Sequence, residues 1–174
     1  MPFDIAAVCR SQGPRITGIT HQDQPITGAS ILWVIAGLES IWGAKAKFCR
    51  SEKAFSHGGP YFHVELWATY GVLASCSVGA WQVMVPVAWE LGYRDDPWRL
   101  IDDPLICGYW ATEYIVRRSI QRDRAKTLTD ILDGYNSGTH RDAHVPTVYI
   151  ARGIEIYRER PLPWVHPARL HHRR

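Results

Sequence analysis

A chain of 174 residues, 46% hydrophobic and 21% charged, holds enough apolar side chains for one domain around a single core, which excludes a disordered chain. The formal charge of +3 is spread over interleaved acidic and basic residues, so no basic stripe marks a nucleic-acid surface and no such partner is expected. Cys9, Cys49, Cys76 and Cys107 lie far apart with no CxxC and no paired-histidine spacing, so neither a metal nor another cofactor is expected.

Residues 1–26 are rich in Gly, Pro, Gln and Thr after one possible helical turn and read as an irregular arm packed on the domain. The start shows no charged segment followed by an apolar one, so no cleavable secretory signal is expected. Thr27 then precedes GASILWVIAGLESIW, in which Ile31, Val34, Ile35, Leu38 and Trp42 recur at helical spacing while Leu32, Trp33 and Ala36 fill other faces. A helix apolar on nearly every side is a central one. Its apolar run, Ile31 to Leu38, falls far short of the roughly 20 residues a membrane span needs.

From Lys45 to Pro60 the chain turns polar, and YFHVELWATYGVLAS (61–75) predicts a second helix. SCSVGAWQVM, near residues 75–84, predicts a turn or short β-hairpin. Pro86 suits the first position of a short helix, VAWEL, closed by Gly92. Asp103 before Pro104 is a helix start, and Leu105, Tyr109, Thr112, Val116 and Ile120 form a stripe down a helix ending among Arg117 to Arg124. A further helix is expected over 128–135, stopped near Gly138, and another from Pro146 through Ile150, Ile154 and Tyr157. The expectation is a mainly α, single monomeric domain over 27–160, with a flexible tail over 161–174.

Glu39 is the only charged residue between Asp23 and Lys45, and it lies near the end of the most apolar helix. Burial there disfavours the carboxylate, so Glu39 can hold a proton near neutral pH and act as a general acid; the alternative is a glutamate that reaches solvent or meets a buried hydroxyl. Eight tryptophans and eight tyrosines against four phenylalanines favour side chains with a flat apolar face and a polar edge, which serve sugar grooves and helical cores alike.

Glu39-Ser40 is followed by Ser77-Val78-Gly79-Ala80-Trp81-Gln82-Val83-Met84 and then by Gly134-Tyr135-Asn136-Ser137-Gly138. In this order the three segments resemble the signature motifs of the soluble lytic transglycosylases, relatives of goose-type lysozyme: an ES pair, a Gly-x-x-Gln turn and a Tyr-Asn-x-Gly segment. The resemblance spans about residues 28–157 and implies a lysozyme-like fold acting on the glycan strands of peptidoglycan at the bacterial cell wall, reached through the periplasm or from a virion. It implies that Glu39 protonates the glycosidic oxygen between N-acetylmuramic acid and N-acetylglucosamine. As a carboxylate, Glu39 would then accept the proton of the muramic 6-hydroxyl, giving a 1,6-anhydro sugar.

The resemblance further implies that Ser77 holds the substrate's N-acetyl group, that Gln82 meets sugar hydroxyl or amide groups, and that Met84 lines the cleft. Tyr135 would reach toward Glu39, Asn136 would bond backbone or substrate, and Tyr149 would match a tyrosine beside the acid. Read on their own, Ser77 is equally a turn serine, Met84 core packing and Asn136 a helix-end residue.

Two departures stand out. Residues 41–76 form a longer link than many of these enzymes carry, of a kind found in phage-associated members, and this insert is expected to form one lip of the cleft. Trp81 stands where a smaller residue is commoner, and either extends a sugar platform or fills the core. Among other carboxylates, Glu52, Glu65, Asp102, Asp103 and Asp133 lie in polar loops or beside other charges, where solvation is the expectation. His57 and His63 are expected as loop or packing residues. Two further readings stay open: a hydrolysing muramidase that takes a base from the insert, and a wall-binding part of a virion or secretion machine without catalysis.

Overall fold

The computed structural model describes residues 4–47, 49–137 and 147–163. It is mainly helical, with a small antiparallel sheet. The arm is more ordered than its composition predicts. Asp4 caps α1 (Ile5–Gln12) by accepting from the Ala7 amide at 2.9 Å, and Ile5, Val8 and Cys9 are buried. A second hairpin, β1 (Thr20–His21) with β2 (Gln24–Pro25), follows. The Arg15 guanidinium reaches from the arm to Glu113, a buried carboxylate that Arg117 also pairs at 2.5 Å. Three apolar residues and one capped turn are too short a signal to separate from loop in a sequence this rich in Gly and Pro.

The central helix α2 (Gly28–Ser40) starts where predicted, with Thr27 accepting from the Ser30 amide at 3.1 Å. Ile31, Leu32, Val34, Ile35 and Ala36 are fully enclosed. It ends two residues early, because Ile41 and Trp42 both take left-handed backbone, with φ of 54° and 51°. Trp42 therefore leaves the predicted stripe. Its ring folds back on Trp33, with centroids 5.1 Å apart, and its Nε1 donates to the Trp33 carbonyl at 3.1 Å.

The insert supplies β3 (Arg50–Ser51), a 3-10 turn (Lys53–Phe55) and α3 (Val64–Tyr70). The predicted helix over 61–75 is shorter at both ends. His63 caps it by accepting from the Leu66 amide at 3.2 Å, and Gly71, with φ 56° and ψ −135°, turns it into 3-10 helix. The hairpin comes where expected, as β4 (Cys76–Val78) and β5 (Val83–Met84), with Ser77 opposite Met84. β3 extends it to three strands by placing Arg50 opposite Ser77.

Next come α4 (Val85–Glu90), with Pro86 in its first turn, and α5 (Trp98–Asp102), a short helix the pattern does not announce. Asp103 caps α6 (Pro104–Tyr114) by accepting from the Leu105 and Ile106 amides, and the helix continues as a π-helix over Ile115–Arg122. α7 (Leu128–Ser137) and α8 (Thr147–Glu159) complete the fold. The predicted stop at Gly138, the start at Pro146 and the tail beyond Pro163 lie outside the described residues.

One apolar core joins these elements, and Trp81 sits at its centre. Its ring is fully enclosed and its Nε1 donates to the Leu32 carbonyl at 2.9 Å, so Trp81 fills the core rather than extending a sugar platform. Cys9, Cys76 and Cys107 are buried and Cys49 is half-buried, all as free thiols. Among the described residues no helix is long and apolar enough to cross a membrane.

Candidate active site

The C-terminus of α2 meets the β4–β5 turn, and Ser40 makes the joint. Its hydroxyl lies 2.6 Å from the Ala80 carbonyl, to which it donates, and it accepts from the Gly43 amide at 2.8 Å. The first bond ties the helix to the hairpin; the second closes the left-handed turn after it. Gly79 serves the same joint. Its φ is 79°, and a Cβ there would stand 2.2 Å from the Leu100 carbonyl, so the close approach this glycine allows is to α5.

Glu39, one residue before Ser40, is half-buried and opens into a cleft of about 650 Å³. Burial raises its pKa above the ordinary carboxylate value; the Tyr149 hydrogen bond and the Arg50 charge oppose this, while the charge of Glu52 adds to it. Tyr149, on α8, donates its hydroxyl proton to Glu39 Oε1 at 2.5 Å. Burial and the Glu39 charge hold the Tyr149 pKa well above 10, so it stays a donor. One turn on, Gly153 lets α8 settle against Leu132 and Leu38: a Cβ there would lie 2.5 Å and 3.3 Å from their methyls. That packing brings Tyr149 to Glu39.

Tyr135 does not bond the acid as expected. Its hydroxyl donates to the Trp81 carbonyl at 2.7 Å, which pins α7 to the turn between β4 and β5. The expected role belongs to Tyr149. Tyr135 still lines the cleft, with Ser77, Gln82, Met84 and Asn136. Ser77 is buried and donates to Gln82 Oε1 at 3.2 Å, while Gln82 Nε2 donates to the Gly79 carbonyl at 3.0 Å. Gln82 itself takes a left-handed backbone, φ 47°, which aims its amide back along the turn. Met84 is half-buried and Asn136 exposed.

The insert contributes Arg50, Glu52, Phe55 and Tyr61 to the cleft lining. Glu52 corrects the expectation of a solvated loop carboxylate. Its amide donates to the Ser75 carbonyl at 2.8 Å, its side chain pairs with Arg50 at 3.2 Å, and it borders the same cleft as Glu39. Strand pairing of β3 to β4 carries it there, and a two-residue strand leaves no alternation to read. At the other end stand Glu90, paired with Arg118, and Arg122, paired with Asp123 at 2.6 Å. Both arginines come from the π-helix, whose register no periodicity in the sequence announces.

Comparison with protein-family models, curated proteins and solved structures finds no match to this chain. The cleft joins one carboxyl group shifted toward its protonated form, a fixed hydroxyl donor on that group, a second carboxylate in its lining, and amide and hydroxyl groups suited to sugar substituents. Among the described residues no cluster of His, Cys, Asp and Glu is suited to hold a metal ion.

Proposed function

We propose that the protein is a lytic transglycosylase that cleaves the β-1,4 bond between N-acetylmuramic acid and N-acetylglucosamine in peptidoglycan, with Glu39 as its acid and base. One observation carries this reading: Glu39, its pKa raised by burial, receives a hydrogen bond from Tyr149 and faces a cleft lined by Ser77, Gln82 and Met84. In the first step Glu39 Oε gives its proton to the glycosidic oxygen as the bond to the muramic anomeric carbon breaks. In the second, the Glu39 carboxylate takes the proton of the muramic 6-hydroxyl as that oxygen closes on the anomeric carbon. The carboxyl group ends as it began, and no water is consumed. Tyr149 favours the carboxylate between the two steps by donating to it. Asn136 and Gln82 orient substrate substituents, and Tyr135 holds the turn that carries Gln82.

Glu52 favours a second reading. A second carboxylate lining the same cleft as one with a raised pKa is the pair that glycoside hydrolysis employs, with the second activating water. Product mass decides. Digestion of purified peptidoglycan by a transglycosylase yields anhydromuropeptides lighter by one water, and Glu52→Gln retains them. Reducing-end products that vanish in Glu52→Gln would replace the first reading with the second. Binding of peptidoglycan without release of either product would leave a wall-binding module.

A further inference from the structure

The insert brings to the cleft two aromatic rings that the chemistry above leaves without a task. Tyr61 is 65% exposed, and Phe55 stands beside it with ring centroids 5.4 Å apart and planes tilted by 37°. Both border the cleft that holds Glu39, Ser77 and Gln82. An exposed aromatic of this size on a loop loses conformational freedom with little burial in return, unless a ligand covers it.

The loop is held rather than loose. The Tyr61 amide donates to the Ala54 carbonyl at 2.9 Å, and the Gly59 amide donates to the Ser56 carbonyl at 2.8 Å. Gly59 presses so close to the 3-10 turn that a Cβ would lie 2.4 Å from the Ala54 carbonyl oxygen. Behind the lip, Phe62 packs between His57, at 4.9 Å, and Trp67, at 5.6 Å. The rings are thus presented at fixed places before a ligand arrives, which lowers the ordering cost of binding.

A pyranose ring has a flat face of C–H groups and an edge of hydroxyl and acetamido groups. The lip offers flat apolar faces, and the same cleft offers the Gln82 amide and the Ser77 hydroxyl. We infer that Phe55 and Tyr61 form a stacking platform for a pyranose unit of the glycan strand, so that the 41–76 insert is a substrate-binding lip. The inference rests on the glycan-cleaving reading and deepens it, since it assigns binding residues to a segment outside the three motifs.

The test uses Glu39→Gln protein, which holds substrate without turnover, with two probes: chitin hexasaccharide, followed by tryptophan fluorescence or calorimetry, and purified sacculi, followed by co-sedimentation. Adding Tyr61→Ala is expected to weaken hexasaccharide binding about tenfold, Tyr61→Phe to restore it and Tyr61→Leu not to restore it, since a flat face rather than apolar bulk is required. Matched thermal unfolding checks that the exposed position leaves the fold intact. Hexasaccharide binding equal in Tyr61→Ala, or restored by Tyr61→Leu, overturns the platform and leaves the glycan reading standing. A Glu39→Gln protein that holds neither probe overturns the glycan reading, and the platform with it.

Discussion

The two walls of the cleft are built by opposite means. On one side Glu39 stands at the end of an apolar helix, with Ser40, Tyr149 and Tyr135 bonding helix, strand turn and flanking helices into a single block. On the other, Arg50 sits on a short strand, Glu52 and Phe55 at a 3-10 turn, and Tyr61 on the loop after it. The first wall sets the protonation state of one carboxyl group through burial and fixed donors. The second presents charge and aromatic faces to whatever enters. In the proposed chemistry, proton transfer depends on the packed wall and substrate choice on the exposed one.

Substitutions in the packed wall should therefore show the larger effects, and Glu39→Gln the largest. A glutamine has no proton to give, so turnover of peptidoglycan is expected to fall by about 100- to 10,000-fold, measured by release of soluble muropeptides. The same change should stabilise the fold. The Glu39 pKa is raised in the folded state, so the folded chain holds that proton more tightly than the unfolded one. The stability this gives is full below the unfolded pKa and is lost as pH rises through the folded value. At neutral pH, Glu39→Gln removes that loss and should raise the melting temperature, with no gain at acid pH. Unchanged turnover would break the comparison by moving the chemistry elsewhere in the cleft.

Ser40→Ala tests the joint between α2 and the hairpin. The substitution leaves the Ala80 carbonyl and the Gly43 amide without their hydroxyl partner in a buried place. A loss of about 1–3 kcal/mol is expected in denaturant unfolding, together with lower turnover, because the same joint aligns Glu39 with Gln82. A variant that loses stability but keeps full activity at low temperature would show that the joint serves the fold alone.

How much of this was legible in the sequence follows the same division. The central helix, its Thr27 cap, the hairpin and the Asp103-Pro104 start were readable because apolar spacing and caps act over neighbouring residues. Glu39 was readable because a lone charge in an apolar helix is costly. What escaped depends on contacts between distant segments: Tyr135 bonding Trp81 instead of Glu39, and Glu52 carried to the cleft by pairing of β3 with β4. The left-handed turn at Ile41 and Trp42 escaped too, since both residues carry large side chains, Gly43 comes only after them, and the Ser40 hydroxyl that closes the turn is one atom in a buried joint.

Tyr149→Phe should give the smallest effect of the three and sharpens the comparison most. The Tyr149 hydroxyl donates to Glu39 Oε1 and so favours the carboxylate, working against the upward push of burial. Without it, Glu39 keeps its proton to a higher pH. If the proton transfer begins from protonated Glu39, the alkaline limb of the kcat/KM profile should move upward in pH, while the rate at the optimum falls only several-fold because the acid itself remains. A single acid and base leaves turnover intact in Glu52→Gln, whereas a required Glu52 carboxylate makes that variant inactive. An alkaline limb that stays in place in Tyr149→Phe would mean that the group titrating in catalysis is not Glu39, and proton transfer would no longer belong to the packed wall.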